Sequence, residues 1–182
     1  MLSEPKIINY HGWRVYEDGS KGYAPYFLNE IMKRIHKKLA TNIVVVGEAG
    51  IGKSYLAMDI CRMIMGLDKK GEDRFKLDQV VFRHKQYMDL ILNLPMGYPI
   101  VFDEPSYSLS KRTWFQEVQR ALVMTIESQR FKVHPLIISI INSNLLDKTI
   151  REHLVTFKVI VHDRGKADVY RVRSSQFSDK VY

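Results

Sequence analysis

Three runs of the chain are apolar almost throughout, Ile43–Val46, Pro99–Phe102 and Leu136–Ile141, the last interrupted by Ser139, where alternation would mark a half-exposed strand. Such runs suit strands of a parallel sheet buried on both faces. Between them the apolar positions fall at helical spacing. From Pro25 to Leu39 the repeat is Phe27, Leu28, Ile31, Met32 and Ile35. From Tyr55 to Met65 a second helix is predicted, with Gly66 as its stop. Tyr87–Leu92 reads as a short helix bounded by Pro95. Trp114–Gln129 reads as a longer one with Trp114, Val118, Ala121, Leu122, Thr125 and Ile126 along one stripe. Asp147–His153 is a further short helix, with Asp147 placed to cap it. Val80–Phe82 adds a short strand, and Phe157–Val161 with Val169–Val172 flanks Asp163-Arg-Gly-Lys as a hairpin. The alternation predicts an α/β fold, a mainly parallel central sheet with helices on both faces, closed by a C-terminal antiparallel hairpin.

At 182 residues and 46% hydrophobic content the chain suits one domain with a sizeable core. The reading divides it into an extension packed on the core (1–40), the core (41–173) and a polar tail (174–182). Ile7, Ile8, Tyr10, Trp13, Val15 and Tyr16, with a turn at Asp18-Gly19, suggest one or two short strands that cover the core or contact another subunit. Aromatics that stack on bases are the alternative. On the 25–39 helix, Lys33, Arg34, Lys37 and Lys38 form either a solvated face or a phosphate-contacting one. No segment approaches the ~20 apolar residues of a membrane span, and the N-terminus lacks a signal peptide's apolar centre, so a soluble, cytoplasmic protein is expected. Cys61 is the sole cysteine, which excludes an intrachain disulfide and predicts a small buried hydrophobe. The net charge of +8 favours polyanionic partners or an acidic membrane surface.

The stretch that carries chemistry is Gly47-Glu48-Ala49-Gly50-Ile51-Gly52-Lys53-Ser54, which fits G-x-x-x-x-G-K-S/T between a strand and a helix that begins near Tyr55. Gly47, Gly50 and Gly52 allow positive φ and close backbone approach, so successive N–H groups can wrap a phosphate at the helix's positive end. Lys53 would reach the β/γ oxygens, and Ser54 would offer its hydroxyl to Mg²⁺. Ligands of such sheets sit at the carboxyl ends of the strands. That rule brings Asp103, Glu104 and Asn142 to the same edge. Asp103 suits a Mg²⁺-holding acid and Glu104 a general base for the attacking water. Asn142 can sense a γ-phosphate without titrating. Arg130 is the candidate arginine finger reaching a neighbouring subunit's nucleotide, with Arg151 its rival; an arginine on the helix C-terminal dipole is the simpler account of Arg130. The six histidines show no metal-ligand spacing, and His153 and His162 read as surface or edge residues.

From Ile43 onward these motifs resemble the P-loop ATPases of the ASCE division, which carry an added strand between the two nucleotide motifs and a glutamate after the Mg²⁺ aspartate. Glu127–Arg151, with Arg130 and Lys132 before an apolar strand that ends on polar Asn142, resembles the matching segment of FtsK/HerA-type translocases. That group includes viral packaging ATPases and the Zot-like assembly ATPases. The chain departs from it in having Asn142 where Gln is usual, as AAA+ ATPases often do, and in splitting the basic pair with Phe131.

The resemblance implies a Mg²⁺-dependent ATPase that translocates or packages DNA by backbone contacts. It would act as a homo-oligomeric ring, such as a hexamer, of viral or plasmid origin and possible virus association. Two alternatives stay open: a Zot-like assembly ATPase with a capsid or membrane-assembly partner, and a nucleotide or small-molecule kinase, which would need an arginine-bearing lid that the segment around Arg112 serves only poorly.

Overall fold

The computed structural model describes residues 23–66, 71–103, 113, 116–121, 123, 133–146 and 148–172. In chain order they form helix α1 (Tyr23–His36), strand β1 (Asn42–Val46), helix α2 (Lys53–Met65), strand β2 (Val80–Val81), helix α3 (His84–Asn93) and strand β3 (Ile100–Phe102). Residues 116–121 are helical. Strand β4 (Leu136–Ile140), a short helix (Lys148–His153), and strands β5 (Phe157–Asp163) and β6 (Lys166–Arg171) follow. The expectations of the 1–22 strands, the Trp114–Gln129 helix beyond residues 116–121 and 123, the Asp147 cap and the 174–182 tail lie outside the described residues.

Among the described residues the strands make one six-stranded sheet in the order β2-β3-β4-β1-β5-β6. Every pairing is parallel except β5 with β6, which is antiparallel. The fold is therefore α/β with a mostly parallel sheet and a C-terminal hairpin, and strand β4 lies between β1 and β3. The order follows from burial. β1, β3 and β4 are buried nearly throughout and take interior positions, whereas β6 is largely exposed and forms an edge.

Side chains on a strand point alternately to opposite faces, and the core divides accordingly into two clusters. Ile43, Val45, Val101, Ile137, Phe157 and Val159 pack under Phe27 and Ile31 of α1 and Ala57, Ile60 and Cys61 of α2. Val44, Ile100, Phe102, Leu136, Ile138 and Ile140 pack against Tyr87 and Ile91 of α3 and against Val118 and Ala121. Helices thus cover both faces. α1 belongs to the same core as the sheet, held edge-to-face by Phe27 on Phe157 at 5.1 Å between ring centroids. Such a pair contributes about 0.5–1.5 kcal/mol beyond its buried area.

Among the described residues no helix is long and apolar enough to cross a membrane. Arg34 corrects the reading of α1's basic face. Its Nε donates to the Ala40 carbonyl at 3.0 Å, and Nη2 also donates there, so this guanidinium closes the helix's own C-terminal turn. Lys33 pairs with Glu30 at 3.2 Å, while Lys37 and Lys38 remain exposed.

Candidate functional site

The parallel registers bring three strand exits and an inner position of β5 to one edge. Val46 pairs with Ile140 and with Ile160, and Phe102 pairs with Ile138. The next residues, Gly47, Ile141-Asn142, Val161 and Asp103, therefore lie along one rim. The opposite ends of two of these strands are anchored. At the opposite end of β1, Asn42 Nδ2 donates to the Leu154 carbonyl at 2.9 Å, and the Thr156 N–H donates to the Asn42 carbonyl at 2.8 Å. Buried Gln79 donates to the Pro99 carbonyl at 2.7 Å, which holds the start of β3.

The glycine loop turns out of β1 as expected, though its glycines divide the work differently. Only Gly50 (φ 78°) and Gly52 (φ 105°) adopt positive φ there, which L side chains reach at a cost. Gly47 does not, and that part of the expectation is corrected. It is needed for close approach, because a Cβ at that position would lie 3.0 Å from the Val161 carbonyl oxygen and 3.1 Å from Ile51 Cγ2. Glu48, Ala49 and Gly50 are exposed at the crest, and Ile51 and Gly52 are half-buried. Gly52 caps α2, which begins at Lys53, two residues before the expected start at Tyr55. Tyr55 is 73% exposed and stands at the rim of the loop.

Lys53 and Ser54 open α2 and are drawn in opposite directions. The Lys53 side chain is buried and folds back across the loop, its Nζ donating to the Glu48 carbonyl at 2.7 Å. The Ser54 hydroxyl reaches the other way and donates to Asp103 Oδ1 at 3.0 Å. β3 ends at Phe102, so Asp103 lies just past the strand. Its N–H still donates to the Val81 carbonyl at 3.0 Å, so the short edge strand β2 fixes its backbone. Tyr87 of α3 packs edge-on against Phe102, with centroids 6.5 Å apart, immediately before the acid.

Asn142 stands exposed at the β4 exit between these two groups, and its Oδ1 accepts the Asn144 N–H at 2.9 Å. The turn thereby occupies the carbonyl end of the amide and leaves the NH₂ as the donor available to a ligand. Arg151 donates to Asn144 Oδ1 at 2.9 Å, so it is tied to this same loop. Glu104, Arg112 and Arg130 lie outside the described residues. Among the described residues no three His, Cys, Asp or Glu side chains gather as a metal cage. His153 and His162 are exposed, and His162 Nε2 pairs with Asp168 at 2.8 Å.

A cleft of about 610 Å³ opens beside the loop, lined by residues 50–56 and Asp59 on one wall. The other wall is the β5–β6 hairpin, through Val161 and residues 164–167. Asp103 and Asn142 are not part of its lining, so the cleft lies on the β5–β6 side of the loop and the acid on the β4–β3 side. Sequence reasoning did not single out Arg164 and Lys166, which line this cleft. The signal available was two cations around a glycine in a turn directly after a strand. Compared with known protein families and with curated proteins, the chain matches none.

Proposed function

We propose that the chain is a Mg²⁺-dependent ATPase of the P-loop kind that couples ATP hydrolysis to the movement or packaging of DNA, acting as a homo-oligomeric ring. The observation that carries the reading is the Ser54 hydroxyl on Asp103 at 3.0 Å, across the intervening strand β4. A strand between the two motifs is what the ASCE resemblance implies, and a hydroxyl beside a carboxylate is the hard-oxygen pair that suits Mg²⁺. That ion keeps several waters and takes its remaining ligands from phosphate, so it needs no protein cage. When bound it would neutralise charge on the phosphate oxygens.

The chain's own groups supply the rest. N–H groups of Gly50 to Ser54 at the start of α2 cradle the phosphates. Lys53 exchanges the Glu48 carbonyl for phosphate oxygens. Glu104, next after Asp103, takes the proton of the attacking water, and the Asn142 NH₂ donates to the terminal phosphate. Arg130 reaches in from a neighbouring subunit. The net charge of +8 and the FtsK/HerA resemblance support DNA as the moved polymer.

The test is phosphate release from ATP with and without duplex DNA, for the wild type and Glu104→Gln. The proposal expects Mg²⁺-dependent release that DNA accelerates, and a variant that binds ATP without hydrolysing it. Phosphate transfer to a nucleoside in place of release would make the protein a kinase, and turnover that responds to a capsid or membrane protein but not to DNA would make it an assembly ATPase.

A further inference from the structure

We infer that the turn of the β5–β6 hairpin forms the nucleoside side of the site, with Arg164 and Lys166 closing on the α-phosphate and ribose of a nucleoside triphosphate bound in the same subunit. This rests on the nucleotide reading above and assigns residues that neither the motif nor the resemblance points to.

Direction comes first. Ser54 lines the cleft and its hydroxyl donates to Asp103, which does not line it, so the proposed metal-binding carboxylate lies on the β4–β3 side of the loop. Terminal phosphates bound there leave the rest of the nucleotide to extend the other way, over β5 and β6. That side holds the cleft, whose volume of about 610 Å³ falls in the ~300–1,000 Å³ range of small-molecule sites.

Charge comes second. The acids of the hairpin are engaged locally: Asp163 Oδ1 accepts the Arg164 N–H at 2.7 Å, and Asp168 pairs with His162. Asp59 on the facing wall is paired with Arg62 at 2.6 Å. The Arg164 and Lys166 side chains are exposed, line the cleft, and make no ion pair or side-chain hydrogen bond among the described residues. Two cations therefore face a glycine loop across a cleft whose own carboxylate is already neutralised.

Rigidity comes third. The turn is tight, with Gly165 at φ 76°, and a register shift between Val161 and Asp163 marks a bulge of the kind that re-aims a strand end. Gly47 lets the Val161 backbone sit directly against the root of the loop, so the hairpin cannot drift from it without breaking that contact. The clamp is thus held in place before ligand arrives, which reduces the entropy lost on binding.

Equilibrium binding of Mg-ATP, Mg-ADP and Mg-pyrophosphate tests this, because pyrophosphate fills the glycine loop but has no nucleoside end. Charge-assisted contacts of this kind are worth about tenfold each in affinity. Arg164→Gln should weaken ATP and ADP binding about tenfold, and Arg164→Gln/Lys166→Gln on the order of a hundredfold, with pyrophosphate affinity and melting temperature unchanged. Arg164→Lys should recover most of the loss. A double variant that binds ATP as tightly as the wild type overturns the clamp and leaves the nucleotide reading standing. Equal losses for ATP and pyrophosphate overturn it too, since the hairpin would then act at the terminal phosphates. A wild type that binds neither ligand removes the nucleotide reading and the clamp together.

Discussion

The Ser54 hydroxyl donates to Asp103 across 49 positions of sequence, at 3.0 Å. Ser54 begins α2 after β1, and Asp103 follows β3. Their strands are not neighbours, because β4 runs between them. β1 and β3 are therefore two strand spacings apart, about 10 Å, and the Ser54–Asp103 hydrogen bond spans them from the start of α2. Asp103→Asn keeps an oxygen for Ser54 to donate to but removes the charge. The fold should survive with little change in melting temperature, while Mg²⁺-dependent ATP hydrolysis should fall on the order of a hundredfold or more. Retained hydrolysis would take the metal away from Asp103.

Gly47 and Gly50 should fail for different reasons. Gly47→Ala forces a methyl group toward the Val161 carbonyl and should cost about 1–3 kcal/mol as overpacking. Gly50 meets nothing within 4 Å, so Gly50→Ala carries only the strain of its φ of 78°, about 1–2 kcal/mol. Urea denaturation of both variants checks this, and a neutral Gly47→Ala would show that β5 can move away from the loop.

Legibility in the sequence tracked how locally each feature is determined. The buried runs Ile43–Val46 and Leu136–Ile141 announced β1 and β4 to within a residue or so, and Gly66 marked the end of α2. The G-x-x-x-x-G-K-S spacing marked the turn between β1 and α2, because glycine requirements and helix initiation are near-neighbour effects. The position of β4 between β1 and β3 was not written in any periodicity, since strand order depends on which faces the helices cover. For the same reason the packing constraint on Gly47 was not legible, as it comes from Val161, more than a hundred residues away. Arg164 and Lys166 were read as turn residues only, because their relation to the loop depends on β5 pairing with β1.

Cys61 is wholly buried in the core between α2 and the sheet. Burial pushes its thiol well above the ordinary cysteine range, opposed only in part by the nearby Arg62 charge. The reactive species is the thiolate, so the native protein should resist a thiol reagent at pH 8 and react stoichiometrically in denaturant. Rapid labelling without denaturant would contradict this packing.

Glu117 ties the helical segment 116–121 to the start of α3. Its carboxylate accepts the His84 N–H at 2.8 Å and a bond from the His84 ring, with Arg120 alongside at 3.5 Å. Burial by itself would raise this carboxyl's pKa, but the His84 hydrogen bonds and the His84 and Arg120 charges outweigh it and hold it below the ordinary glutamate range. A carboxyl with a depressed folded pKa contributes stability in full above its unfolded value, about 4.3. That contribution is lost as pH falls through the folded value. Glu117→Gln should therefore melt below the wild type at pH 7, and the two should converge toward pH 3. Parallel melting curves at every pH would remove Glu117 from the account.

Titration calorimetry of Mg-ATP into the wild type and into Lys53→Ala tests the central claim most directly. The account predicts one saturable site per chain in the wild type and loss of binding in Lys53→Ala, with the melting temperature of the unliganded variant retained. Absence of heat in the folded wild type, or equal binding by both proteins, would contradict a triphosphate seated on the Gly47–Ser54 loop.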